Sequence, residues 1–162
     1  MQAERTDSLM TAAALTGFAR ALNARLRETS GGLALVDLNV LSGIGKGYDL
    51  SSTLVRKLML DAPRVSRIVE GLVAAGYVRR EADSDDRRRC RLRLTPSGAE
   101  RLERGQADLA AAMDDLLRGL SDEERAGLER AVPGMRRVLT TRADPVADGA
   151  DRTGLEARGA GC

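Results

Sequence analysis

Apolar residues recur along this chain at two periods, and the switches between them mark out its elements. From about Ser8 to Arg27, Leu15, Phe18, Leu22 and Leu26 are spaced by three and four, one stripe of an amphipathic helix. Ser30-Gly31-Gly32 breaks it. Leu35 to Ile44 is a short apolar segment that reads as helical, with Gly43, Gly45 and Gly47 punctuating its end. Asp49 to Leu60 predicts a third helix, capped by Ser51 or Ser52, with Leu54, Leu58 and Val55 facing inward. A fourth follows, capped by Asp61 or Ala62. Its Pro63 sits in the first turn, where a missing N–H does no harm. Val65, Ile68, Val69, Leu72 and Val73 form its apolar stripe. A rotation of about 100° per residue puts Pro63, Arg67, Gly71 and Ala74 opposite that stripe, with Arg64 and Ser66 at the flanks. Gly76 closes the helix as a left-handed cap.

The period then changes to two. Tyr77 to Glu81 reads as a strand, and Asp83-Ser84-Asp85-Asp86 as a turn. From Arg89 to Leu94, Cys90, Leu92 and Leu94 alternate with Arg89, Arg91 and Arg93, the mark of a half-buried strand. The two strands make a hairpin with an arginine-bearing tip. Thr95-Pro96 then starts a helix to about Arg118, with Leu102, Leu109, Met113, Leu116, Leu117 and Leu120 inward. Ser121-Asp122-Glu123-Glu124 is a capping box. It opens a last helix bearing Leu128, Ala131, Val132, Met135, Val138 and Leu139, which Pro133 is expected to kink. From Ala143 onward no period survives, and the segment reads as a flexible tail.

Three helices and a hairpin within about 60 residues make a helix-turn-helix with a wing. The fold class expected is mainly α with a small β-hairpin wing. The front of the fourth helix can enter a major groove, and its N-terminal N–H groups favour phosphate. Arg64 and Arg67, one turn apart, can reach guanine edges or backbone, and Ser66 can bond to either. Charge sharpens this picture. The chain is only +2 overall, yet residues 79–93 hold seven arginines against Glu81, Asp83, Asp85 and Asp86, a local excess of +3. At the tip, Arg87 and Arg88 stand beside Asp85 and Asp86. An adjacent aspartate can orient a guanidinium for the minor groove.

Composition removes other classes. There is no histidine, no glycine-rich phosphate loop and no metal-spaced cluster, so neither enzyme, cofactor nor metal is expected. Two cysteines, Cys90 and Cys162, are too few for a disulfide framework. No run is long and apolar enough to span a membrane, and no signal pattern opens the chain, so a cytoplasmic setting is expected. Aromatic residues are 2% of the chain, so its core must be aliphatic.

Residues 61–98 resemble the core of the MarR family of multiple-antibiotic-resistance-type regulators. The resemblance rests on Val65-Ser66-Arg67, on Gly76-Tyr77-Val78-Arg79-Arg80, on the wing Asp83 to Arg88, and on Leu94-Thr95-Pro96-Ser97-Gly98. It implies a homodimer whose terminal helices interlock. Residues 1–34 would be an N-terminal dimerisation helix, 35–98 the winged DNA-binding region, 99–142 the C-terminal dimerisation helices, and 143–162 the tail. It implies a palindromic double-stranded DNA operator, with recognition helices in successive major grooves and wings in minor grooves. Pro63, Arg64, Ser66 and Arg67 match the recognition-helix contacts, Arg88 the wing-tip arginine, and Asp86 its orienting partner. It further implies a small-molecule effector, frequently phenolic, bound between the dimerisation and DNA-binding regions. The scarcity of aromatic residues gives a phenolic ring little to stack on. Peroxide-sensing relatives place their reactive cysteine in the N-terminal helix, where this chain has none. Cys90, alternating with Leu92 and Leu94, reads as a small buried hydrophobe. The alternative function is a winged-helix module for protein–protein interaction alone, which would leave the arginine-tipped wing unexplained.

Overall fold

The computed structural model describes residues 2–83 and 89–143, with side chains described for 7–83 and 89–139. Asp86, Arg87, Arg88 and the tail from 144 lie outside the described residues. The first helix, α1, spans Gln2–Thr29, starting earlier than its apolar stripe indicates. Leu22 and Leu26 are buried, whereas Leu15 is exposed, so only the C-terminal half of the stripe is covered within one chain. Helix α2, Leu35–Gly45, has no capping hydroxyl. Its first amide instead donates to Asn23 Oδ1 of α1 at 2.9 Å, and Asp37 Oδ2 accepts the Ala34 N–H at 3.0 Å. Two orphan donors are thereby satisfied by carboxylate and amide oxygens.

Helix α3 spans Ser51–Leu58, and here the expected cap is wrong: Leu50 is the N-cap, with no side-chain bond. Ser51 and Ser52 form the exposed first turn instead. Met59 ends α3 in the left-handed region at φ 52°, a rare conformation for a non-glycine residue. It lets the chain reverse tightly into α4, Ala62–Ala74. There Asp61 is the cap, accepting the Arg64 N–H at 2.8 Å, and Pro63 is the second helical residue. Gly76 follows at φ +74°, as its position predicts.

Strands β1, Val78–Ala82, and β2, Cys90–Leu94, pair antiparallel from Val78↔Leu94 to Ala82↔Cys90. Each begins one residue later than the alternation suggested. Leu92 is buried, and Cys90 and Leu94 are half-buried on the same face. Beyond the hairpin, the Leu92 N–H donates to the Asp49 carbonyl at 2.7 Å, so the segment before α3 behaves as a third, minimal strand. Thr95 then caps α5, Pro96–Leu117, accepting the Gly98 N–H at 3.0 Å. Thr95 and Ser97 hydroxyls donate to the Gly76 carbonyl at 2.7 and 3.1 Å, which ties the start of α5 to the end of α4. The capping box at Ser121 forms as expected. Ser121 holds the Glu124 carboxyl below its usual range through its backbone and then its side-chain donor. Helix α6 runs Asp122–Ala143 and continues through Pro133.

The core is aliphatic. Leu26, Val40, Leu41, Leu54, Val65, Val69 and Val78 are fully buried, drawn from α1, α2, α3, α4 and β1. Tyr48 and Tyr77 pack at its edge. Full burial of such a side chain stabilises by about 1.5–3 kcal/mol, so this cluster fixes the helix-turn-helix against α1, α5 and the hairpin. Most large apolar residues left exposed lie on α1 and α6.

Candidate nucleic-acid interface

Helix α4 is anchored from behind by Val65, Val69 and Leu72, which are buried. That anchorage turns Pro63, Arg64, Ser66 and Arg67 outward, and all four are exposed. The helix presents them as a face, with no core residue between them and solvent. Two of the side chains are already oriented. The Arg67 Nε–H donates to the Pro63 carbonyl at 3.3 Å, which restrains the guanidinium against its own helix. The Ser66 hydroxyl donates to Glu70 Oε1 at 3.0 Å. Sequence reading passed over Glu70. It sits one turn on from Ser66, is the acidic group beside Arg64 and Arg67 on this helix, and can accept from a cytosine amino group.

The wing changes the charge argument. Arg79 pairs with Glu81 at 2.7 Å, and Arg93 lies 3.6 Å from the same carboxylate. Arg91 is held by two carboxylates, Asp49 at 2.7 Å and Asp83 at 2.8 Å. Hydrogen bonds to Asp49 and then Asp83 keep its guanidinium more firmly protonated than a free arginine. Among the described residues, Arg79, Arg91 and Arg93 are thus matched by Glu81, Asp49 and Asp83 at the root of the hairpin. Asp49, 42 residues away from Arg91, was invisible to a local charge count.

A cleft of about 390 Å³ opens beside α4, between the α1–α2 connection and the start of α5. Leu33, Ile68, Leu72 and Tyr77 line it, with Arg67 and Arg101 as its cations and Asp37 as its anion. Arg101 donates to the Ser30 carbonyl and lies 6.0 Å from the Tyr77 ring centroid, a cation–π contact. Gly71 forms part of the wall, and a Cβ there would meet nothing within 4 Å. Among the described residues no group of three or more His, Cys, Asp or Glu could hold a metal. None of the described helices is long and apolar enough to cross a membrane.

The family model for the MarR family matches residues 32–89, from the α1–α2 connection through α4 into the wing. The uncharacterized HTH-type transcriptional regulator YdgJ of Bacillus subtilis (strain 168) is 30% identical over 110 residues, 67% of each chain. The crystal structure of the transcriptional regulator BldR from Sulfolobus solfataricus superposes with a TM-score of 0.70 at 22% identity, covering 87% of this chain and 99% of that one. CouR from Rhodococcus jostii RHA1, crystallised with p-coumaroyl-CoA, gives 0.68 at 23% identity, covering 90% and 97%. At those identities the two structures establish a shared fold. Together with the exposed arginine face of α4, the paired wing and the sequence match to a regulator, they place this chain in the MarR family of transcriptional regulators.

Proposed function

We propose that this protein is a homodimeric, sequence-specific DNA-binding repressor. In this reading α4 enters the major groove of a palindromic operator and the wing enters the minor groove. The observation that carries it is the outward face of α4, where Arg64, Ser66 and Arg67 are exposed on a helix locked from behind by Val65, Val69 and Leu72. Pro63 brings the backbone of the first turn close to phosphate. Arg87 and Arg88 at the wing tip, with Asp86 as orienting partner, supply the second contact. Residues 35–98 form the DNA-binding region, and 1–34 with 99–142 form the dimerisation region.

Electrophoretic mobility of DNA from upstream of the gene tests the core of this reading. Retardation by the native chain is expected at low salt. Indifference to every duplex would leave a protein–protein interaction module. Replacing Arg67 by Ala should weaken operator binding by about 1–3 kcal/mol if the guanidinium reads a base. An equal loss on operator and random DNA would make it a phosphate contact.

The cleft beside α4 is the proposed effector site; that a protein of the same fold, CouR, binds p-coumaroyl-CoA supports looking for an effector at all. Its apolar wall and two arginines suit a small aromatic acid, and Tyr77 supplies the single ring. Gly71→Leu would project into this open space. Thermal-shift titration with p-coumarate is the probe: ligand that binds only folded protein raises its melting temperature. A rise in the native chain that disappears in Gly71→Leu is expected. A rise that persists unchanged would move the ligand to another site.

A further inference from the structure

We propose that Arg91, gripped between Asp49 and Asp83, is a clamp that sets the direction of the wing relative to the helix-turn-helix. Arg91 is thus a positioning residue for DNA binding. The proposal rests on the reading of the wing as a DNA contact.

The clamp joins three separate stretches of chain. Asp49 immediately precedes Leu50, the N-cap of α3, so it moves with the helix-turn-helix. Asp83 follows the end of β1 at the neck of the hairpin, where its N–H is bonded to the Arg89 carbonyl at 3.0 Å. Arg91 lies in β2 and uses different terminal nitrogens for each partner: Nη1 to Asp49 at 2.7 Å, Nη2 to Asp83 at 2.8 Å. A planar fork can do this with one rigid group, which a lysine ammonium on a flexible stem cannot reproduce. The site is also sheltered. The Asp83 side chain is 3% exposed, that of Asp49 15% and that of Arg91 34%. Solvent screening therefore acts less here than at the Arg104–Glu100 or Arg118–Asp115 pairs of α5, whose arginines are mostly exposed.

The hairpin needs such a fixture. Val78 and Leu92 bury the root of the hairpin in the core, but a two-stranded ribbon is marginal by itself and strongly twisted, so its direction beyond that root needs a further restraint. On the side away from β1, the hydrogen bond from Leu92 to Asp49 joins β2 to the body. That bond and the burial of Leu92 hold the root of the hairpin in place and leave its angle to be set. The guanidinium adds a second, charged attachment to the same residue and fixes the angle. Arg93 adds a weaker pull on Asp49 at 3.7 Å. The clamp thereby makes an arginine occupied by two carboxylates a determinant of where the tip arginines fall.

The test is a double-substitution cycle, read by fluorescence anisotropy on operator DNA across a salt series. Arg88→Ala removes a tip contact, and Arg91→Met removes the clamp while keeping its aliphatic stem. Each alone is expected to weaken binding about tenfold and to lower the salt slope by about one unit. In the Arg91→Met background, Arg88→Ala should cost less than twofold further, because the tip is already misplaced. A simple loss of global stability, measured by the melting temperature, would leave the effects multiplicative, near 100-fold, and that result would overturn the positioning role. Hydrogen exchange of the DNA-free protein tests the clamp itself. The Leu92 amide should exchange faster in Arg91→Met while core amides of α2 and α4 keep their native rates. An unchanged Leu92 rate refutes the clamp. Native affinity for Arg88→Ala, with Leu92 loosened in Arg91→Met, would instead strike the reading of the wing as a DNA contact. Asp49→Asn, which keeps an acceptor for Arg91 but removes the charge, repeats the cycle if Arg91→Met does not fold.

Discussion

Gly98→Ala is expected to destabilise the protein by roughly 3 kcal/mol, the upper end of what overpacking a tight site costs. A Cβ at this position would lie 1.9 Å from the Tyr77 carbonyl oxygen, 2.8 Å from its carbon and 3.1 Å from the Tyr77 Cα. These are backbone atoms, and no rotamer change can move them. The same carbonyl accepts the Thr95 N–H at 3.0 Å, so displacing it weakens the bend from α4 into β1 and the start of α5 together. Gly105 is the informative comparison. Its Cβ would meet Leu33 and Leu38 methyl groups at 2.9 Å, the far ends of side chains that can turn aside. Gly105 also lies inside a helix, where Ala is intrinsically better by about 0.5–1 kcal/mol. Gly105→Ala should therefore cost far less than Gly98→Ala. Urea denaturation decides it through the shift in midpoint at constant slope. Equal midpoints for the two variants would show that the α5 start is not the close approach described.

Such close approaches explain which parts of the molecule were legible in the sequence. Signals confined to one turn were read well. Asp61, Thr95 and Ser121 cap their helices, and Gly76 takes the left-handed conformation. The alternation of β2 and the stripe of α4 gave the wing and the helix before it, with boundaries shifted by a residue. Ser51 and Ser52 misled because cap preference is a statement about type, and the start of α3 is set by the extended segment at Asp49 pairing with β2. The resemblance marked Gly98 as part of a motif, but its reason, contact with Tyr77, appears only in three dimensions. Arg91 was counted with the cationic surface because its carboxylate at Asp49 is remote in sequence. The start of α1 was missed because Gln2 to Asp7 carries no apolar stripe, so periodicity has nothing to register there.

The largest effect on DNA binding is expected from Met135→Lys combined with Val138→Lys on α6, far from α4 in sequence. Leu9, Met10 and Leu15 of α1 and Val132, Met135, Val138 and Leu139 of α6 are between 41 and 72% exposed in the single chain. Val132, Met135 and Leu139 follow the three-and-four spacing of one helix face. Burying what remains exposed of each such side chain would contribute roughly 0.6–2 kcal/mol, a strong force for association when both terminal helices carry them. A second copy of the chain is the partner that the family implies. Lysine is chosen deliberately, because added positive charge should raise non-specific affinity for DNA. A fall in affinity can then be assigned to lost dimerisation. With one half-site engaged in place of two, operator affinity should drop by about 10²-fold or more, the usual gain from linked sites. Sedimentation equilibrium at micromolar concentration should show the native chain as a dimer and the double variant as a folded monomer. A variant that remains dimeric and keeps native affinity would remove α6 from the interface. A native chain that sediments as a monomer while binding its operator tightly would remove the two-fold arrangement itself, since paired half-sites act only through a protein that is itself paired.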